Sequence, residues 1–193
     1  DLSPNGFKTV IDIDLNGSFH VLRLAYPMLK KPGASVINIS APQGVNPTMY
    51  QVHACAAKAG VDQIMRVLAM EWGADGIRVN SIVPGPVEGT TGLAKLASDR
   101  ARAGMARRVP LGRLGRLQDI AAMALFLGSE DASYVTGALI PVDGGISLLG
   151  ARNHALDEEV VAGPRTSCKP AWTPACWCCS CAPPKCATHS APK

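Results

Sequence analysis

Apolar residues recur at helical spacing through the first thirty residues of the chain. This stripe runs from Phe7 to Leu29, and Ser3 or Asn5 precedes it where a helix cap is preferred. Residues 31–33 read Lys-Pro-Gly, a sequence that ends a helix. The pattern therefore predicts one long amphipathic helix that ends by residue 31.

Three short runs of β-branched and apolar residues follow, and helical patterns separate them. The predicted strands cover residues 35–40, 78–83 and 137–142, and the predicted helices cover 51–72 and 117–127, with a helix-bearing loop after the second strand. Continuously apolar strands separated by helices form parallel sheets that are covered on both faces. The fold class is thus predicted as α/β, with a partial doubly wound parallel sheet of the Rossmann-like kind.

Ligands of such sheets bind at the carboxyl ends of the strands, so the chemistry is expected in the loops after Ile39, Val83 and Val142. Dinucleotide folds also begin with a strand and a glycine-rich turn that holds the pyrophosphate. The glycine pairs at 112–115 and 144–145 lack that strand-turn-helix context. We therefore expect the first half of the sheet, with its glycine-rich loop, to be absent from this chain.

Composition narrows the function classes. The 193 residues are 47% hydrophobic and 18% charged with a net charge of +4, which excludes disorder of the whole chain and gives no basic field for nucleic acid. No uncharged apolar run approaches the ~18 residues of a membrane span, and the first residues do not resemble a secretory signal. We predict no nucleic-acid partner and no membrane span.

The composition changes near residue 151. Six of the 7 cysteines lie beyond it among prolines, and Cys55 alone precedes it, which is typical of a reducing compartment. We predict a domain over 1–150 and a Pro/Cys-rich tail without a core over 151–193. Cys176, Cys186 and His189 belong to a tail rich in soft ligands, but its spacing lacks the paired C-x-x-C of zinc sites, so no metal is predicted.

Several segments resemble the later motifs of the short-chain dehydrogenase/reductase family. They are Asn38-Ile39-Ser40, the helix of Lys58, the run from Arg78 to Pro86, Tyr134 to Gly137, and Asp143-Gly144-Gly145. The resemblance implies the doubly wound fold, a nicotinamide cofactor, and the C-terminal part of such a domain over 1–150. It also implies a homo-oligomer, because the family packs the helices near 7–31 and 51–72 against partner subunits.

The chain departs from the usual catalytic pattern of that family. Most members place a tyrosine four residues before the lysine and a serine thirteen residues before the tyrosine, so that the phenol exchanges a proton with a carbonyl oxygen. Here Ala54 precedes Lys58 and Ala41 replaces the serine. A ketone reductase without both groups has no acid for its alkoxide, so that reaction is disfavoured.

One branch of the family is similar in these departures and in the segments 7–14, 51–54 and 84–90. It uses NADPH to reduce 2,4-dienoyl-CoA to 3-enoyl-CoA in the peroxisomal β-oxidation of unsaturated fatty acids. Hydride reaches the δ-carbon and the dienolate takes a proton at the α-carbon, an oxidoreduction of a CH–CH bond. The final residues 190–193 do not resemble the Ser-Lys-Leu peroxisomal address, so a cytosolic location is the other expectation.

The resemblance also implies site residues. Asp14 would act with Lys58 to activate the water that gives the proton, and Lys58 would also hold the nicotinamide ribose. The cofactor would lie along Pro84, Gly85, Pro86, Val87, Glu88, Gly89 and Thr90. Ser3, Pro4 and Asn5 would contact the acyl-CoA substrate, with Lys95 near the CoA phosphates.

Other interpretations remain open at this point. Asp14 and Lys58 are also compatible with charged side chains on a solvent-exposed helix surface. Tyr50 is a candidate replacement for the missing acid. His53 is not assigned to catalysis, because its side chain points about 100° from that of residue 54. Because this chain has no glycine-rich loop to hold the cofactor, we expect weak or absent turnover. The alternative functions are a non-catalytic fragment that joins full-length subunits and another NADP-linked reductase of the family.

Overall fold

The computed structural model describes residues 2–91, 93 and 99–149. The predictions for Lys95 and for the tail over 151–193 lie outside the described residues. Within the described part, no helix has the length and apolar character needed to cross a bilayer.

The first helical region differs from the single helix predicted. It consists of α1 (Pro4–Val10), a π-helical segment (Ile11–Asn16), α2 (Gly17–Ala25) and a 3₁₀ turn (Tyr26–Met28). The region ends at Met28, within the predicted limit of residue 31. Its α-helical part already ends at Ala25, because Pro27 has no amide to continue an α-helical ladder.

The cap of this region is Ser3. Its Oγ accepts a hydrogen bond from the Gly6 amide at 3.0 Å, which satisfies one of the amide donors left unpaired at a helix start. Asn5, the other candidate cap, lies inside α1. The sequence left the choice between the two open, and the structure decides it.

Three parallel strands form one sheet in the order β1 (Ser35–Ile39), β2 (Arg78–Pro84) and β3 (Leu139–Val142). The register pairs Asn38 with Ser81 on one side of β2, and Ser81 with Leu139 on the other. Strand β3 begins two residues later than predicted.

The remaining helices are α3 (Val52–Trp72), α4 (Asp99–Arg108) and α5 (Leu117–Gly128). Short 3₁₀ turns lie at Pro42–Gly44, Gly73–Asp75, Glu130–Ala132 and Ile146–Leu149. Helices α3 and α5 match their predicted ranges to within one residue, since both present a regular apolar stripe to the sheet.

Each face of the sheet carries its own core, and strand alternation explains which residues belong to which. Val36 and Val79 point towards α2 and α3, where Met65 is fully buried. Ile37 and Ile82 point the other way, towards Leu127 of α5. Burial of such a side chain stabilises the fold by about 1.5–3 kcal/mol. The predicted α/β sheet, covered on both faces, is confirmed.

Asn80 joins β2 to the segment that precedes β3. Its side chain is fully buried, its Nδ2 donates to the Val135 carbonyl at 2.8 Å, and its Oδ1 accepts from the Ala138 amide at 3.0 Å. The Thr136 hydroxyl accepts from the Val79 amide at 3.0 Å. We call this arrangement of Asn80, Val135, Thr136 and Ala138 the Asn80 clasp. It takes the Ala138 amide away from the sheet, which is why β3 starts at Leu139.

Candidate functional site

The loops after β2 and β3 pack directly on each other at the carboxyl edge of the sheet. The Gly85 amide donates to the Val142 carbonyl at 3.0 Å. A Cβ on Gly85 would lie 2.7 Å from the Cα of Asp143, closer than packed atoms approach, so the contact requires glycine. Two of the three predicted site loops therefore form one surface.

Asp14 and Lys58 lie side by side. The Lys58 Nζ is 3.8 Å from the Asp14 Oδ2, and the two side chains are 23% and 35% exposed. This distance is an ion pair but is longer than a hydrogen bond, and no described residue accepts a hydrogen bond from Lys58. The two residues that the resemblance assigned to catalysis, forty-four positions apart in the sequence, are thus brought together.

The π-helical segment and a glycine explain how these residues meet. Asp14 lies within the π-helix, a local form with i→i+5 bonds that is often found at functional sites. On the facing helix, a Cβ at Gly60 would lie 2.7 Å from the Cδ1 of Leu15. Glycine at this position therefore lets the π-helical segment lie close against α3, the helix that carries Lys58.

The alternative acid, Tyr50, does not pack into the site. Its side chain is 93% exposed and its backbone has a φ of 64°, a left-handed conformation that is uncommon for a bulky residue. Ala54 and Ala41 stand where the family resemblance led us to expect a tyrosine and a serine. His53 is partly buried, and its Nδ1 has no hydrogen-bond partner among the described residues.

The loop predicted to hold the cofactor has a defined shape. Val87 is buried, and the Glu88 amide donates to the Gly115 carbonyl at 2.8 Å, which anchors the middle of the loop. The Thr90 hydroxyl donates to the Val87 carbonyl at 2.9 Å. Gly89 has a φ of 76°, and apart from its chain neighbours no atom of the described residues lies within 4 Å of where its Cβ would be. The middle of the loop is thus anchored to Gly115, while the Gly89 turn is open among the described residues.

Ser3, Pro4 and Asn5, the residues expected to contact substrate, lie at the exposed start of α1. The Ser3 hydroxyl is engaged as the helix cap. Their substrate role stays a prediction, as does that of Lys95, which lies outside the described residues.

A cleft of about 600 Å³ lies beside this edge, and the sequence did not indicate its charged residues. Gly85 and Pro86 form one wall, Asp143 to Gly145 another, and Arg113 with Asp119 a third. Asp14 and Lys58 do not line it. The predicted loop from Pro84 and the Asp-Gly-Gly run at 143–145 pointed to this place, whereas nothing in the sequence pointed to Arg113 and Asp119.

Two carboxylates of the cleft are held in their charged form. Hydrogen bonds from the Arg113 guanidinium and then from the Arg116 amide lower the pKa of Asp119 to about 2. Burial acts to raise the pKa of Asp143, but the hydrogen bonds from Ser147 and Gly145 outweigh it and leave the pKa below its usual value. Both side chains therefore fix loops rather than supply protons at neutral pH.

Comparisons with known proteins show what the chain is similar to. Residues 1–147 match the family model described as enoyl-(acyl carrier protein) reductase. The peroxisomal 2,4-dienoyl-CoA reductase, (3E)-enoyl-CoA-producing, of Arabidopsis thaliana is 44% identical over 171 residues, which are 83% of this chain and 57% of that protein.

Solved structures share the fold. A short chain dehydrogenase from Bacillus anthracis is 38% identical with a TM-score of 0.65, over 76% of this chain and 58% of that one. The angucycline C-6 ketoreductase LanV with bound NADP is 26% identical with a TM-score of 0.70, over 77% of this chain and 56% of that one. The chain spans about half the length of the curated relatives it matches.

Proposed function

Because the chain belongs to the short-chain dehydrogenase/reductase family, we propose that it carries the catalytic part of an NADPH-dependent 2,4-dienoyl-CoA reductase that forms 3-enoyl-CoA. The observation that carries this proposal is the pairing of Asp14 with Lys58 at 3.8 Å in a site with alanine at positions 41 and 54. Relatives that bear this activity in their names are 44% identical to the chain, which supports the same chemistry.

The choice of substrate follows from where the proton must go. Reduction of a ketone leaves an alkoxide, which needs an acid directly at the oxygen, the usual task of a tyrosine. Addition of hydride to a conjugated dienoyl thioester leaves a dienolate, which is protonated at the α-carbon. A water molecule held by Asp14 and Lys58 serves that purpose without a phenol.

The described residues fit a nicotinamide cofactor. Lys58 has three N–H donors, and its ion pair with Asp14 is too long to use one as a hydrogen bond, so they are available to ribose hydroxyls. The anchored loop from Pro84 to Thr90 offers the open turn at Gly89 for the nicotinamide and pyrophosphate. When bound, NADPH supplies the hydride to the δ-carbon of the substrate.

Side chains of this protein then position the water that protonates the dienolate. The Lys58 ammonium holds the Asp14 carboxylate in place, and the two together orient a water molecule towards the α-carbon of the dienolate. That water gives a proton to the α-carbon, so the remaining double bond lies between the β- and γ-carbons. The hydroxide ion that remains takes up a proton from solvent. Ser3, Pro4, Asn5 and Lys95 would contact the acyl-CoA.

The test exploits two aspartates in one π-helical segment. Asp14→Asn is expected to lower single-turnover reduction of a 2,4-dienoyl-CoA about 100-fold or more, the usual range for loss of a proton-transfer group. Asp12→Asn is the matched control, because Asp12 pairs with Lys8 and Asn16 rather than with Lys58. The measurement follows NADPH absorbance with the protein in excess, since turnover of the chain is expected below about 1 per second.

An equal rate in both variants would overturn the proposed role of Asp14. Reduction of an unrelated carbonyl substrate that Asp14→Asn leaves unchanged would favour the other interpretation, an NADP-linked reductase of different specificity.

A second candidate function is association with complete subunits. The outer faces of α2 and α3 expose large apolar side chains: Val21 and Leu24 are each 67% exposed and Met70 is 84% exposed. Such clustered apolar exposure marks interaction surfaces. Size-exclusion chromatography of the chain with and without a full-length relative tests this, and elution at the monomer position in both runs would contradict it.

A further inference from the structure

A buried carboxylate lies one helical turn beyond Lys58, and the mechanism above does not use it. Asp62 of α3 is 2% exposed, and neither Oδ1 nor Oδ2 accepts a hydrogen bond from the described residues. A buried polar group without a partner destabilises a fold strongly, and a carboxylate more than most. Asp62 therefore needs hydrogen-bond donors in its surroundings.

Three donors without partners face the same side of the sheet. They are Asn38 Nδ2, Ser40 Oγ and Ser81 Oγ, all buried. The register pairs Asn38 with Ser81, and these residues alternate in step with Val36 and Val79, which pack against α3. The donors thus lie on the α3 side of the sheet, near its carboxyl end.

The 3₁₀ turn Pro42–Gly44 lies directly on α3 at this point. A Cβ on Gly44 would be 2.5 Å from the Asp62 Oδ2 and 3.2 Å from the carbonyl carbon of Lys58. The turn follows Ser40 and so connects the end of β1 to the part of α3 between Lys58 and Asp62. Whatever holds the Asp62 carboxylate also holds this turn against the backbone of Lys58.

We propose that Asp62 is a positioning residue, which binds internal water together with Asn38, Ser40 and Ser81 and thereby fixes the Lys58 turn of α3 against the sheet. A buried water makes two to four hydrogen bonds, and this set offers two carboxylate oxygens and three donors. The consequence for catalysis is the placement of Lys58 beside Asp14, and this consequence rests on the function proposed above.

Hydrogen–deuterium exchange of the full chain tests the structural part. Asp62→Ala is expected to speed amide exchange over residues 40–46 and 55–60 about tenfold, and the isosteric Asp62→Asn less so. Glu71→Gln is the matched control, because it removes one exposed carboxylate from the same helix. Exchange in both Asp62 variants equal to that in the control overturns the proposal.

Gly44→Ala supplies an independent variant. Alone, its Cβ meets the carboxylate and is expected to lower the Tm by several degrees. Combined with Asp62→Ala, which removes the oxygen that the Cβ meets, the loss should be less than the sum of the two single changes. Additive losses would contradict a shared contact. In a crystal structure, ordered water within about 3 Å of Asp62 and of one of the three donors is expected, and a dry site would refute the water-binding step.

The activity readout separates the two proposals. Asp62→Asn is expected to lower kcat for a dienoyl-CoA several-fold while KM stays unchanged, since the residue touches neither substrate nor cofactor. A changed KM with unchanged kcat would overturn the positioning role. If the unsubstituted chain reduces no dienoyl-CoA, the proposed function fails, whereas the exchange and Gly44 results still decide the role of Asp62.

Discussion

The two faces of the sheet differ in how their buried polar groups are hydrogen-bonded, as two adjacent residues of β2 show. Asn80 points towards α5, and its side chain makes two hydrogen bonds to backbone groups. Ser81 points towards α3, and its hydroxyl has no partner among the described residues. Both are fully buried. The α5 face is therefore closed around Asn80, and its one buried donor without a partner among the described residues is Arg78 Nη1. The α3 face keeps polar groups available near Asp14 and Lys58.

The largest expected effect comes from breaking the closed face. Asn80→Ala removes both hydrogen bonds and leaves the Val135 carbonyl and the Ala138 amide without their partner. Because each such buried group costs about 1–3 kcal/mol, the free energy of unfolding should fall by about 2–6 kcal/mol. Urea denaturation followed by circular dichroism measures this change.

Ser81→Ala is the matched control for that substitution. It removes a hydroxyl that has no protein partner and that bonds only internal water in the arrangement proposed above, so the free energy of unfolding should fall by no more than about 1 kcal/mol. A loss as large as that of Asn80→Ala would show that the α3 face is as fully bonded as the other, and the contrast between the faces would be wrong.

A smaller effect concerns the start of α5, the helix that covers the closed face, where low pH should reduce the stability of the fold. The pKa of Asp119 is about 2 in the folded chain and near 3.8 ordinarily, so its contribution to stability is complete above about pH 4 and is lost as the pH falls towards 2. Asp119→Asn should lower stability at neutral pH and flatten the pH dependence between 4 and 2. Equal slopes for both proteins in acid unfolding would contradict this.

The sequence predicted the elements whose signal is local. The strands and α3 follow from β-branched runs and a regular apolar stripe, whereas residue type left the helix cap open between Ser3 and Asn5. The resemblance paired Asp14 with Lys58, and the structure places them 3.8 Å apart. Their catalytic role stays a prediction, as do those of the loop from Pro84 to Thr90 and of residues 3–5.

Other features have no local signal. The Asn80 clasp joins residues 55 to 58 positions apart, and an asparagine in a strand is equally compatible with an exposed edge. The Asp62 carboxylate, which has no hydrogen-bond partner among the described residues, lies on a helix face whose neighbours come from distant parts of the sequence. The π-helical segment shows the same apolar spacing as an α-helix over so short a span, so periodicity did not reveal it.

That segment has a consequence for how the chain tolerates insertions and deletions. A π turn holds one more residue than an α turn, so deletion of a single residue between Ile11 and Asn16 would restore an ordinary helix without moving its ends. The local widening around Asp14 would then be lost, while α1 and α2 keep their relative orientation. The single extra residue thus sets the angle at which Asp14 faces α3, while α1 and α2 keep their own packing.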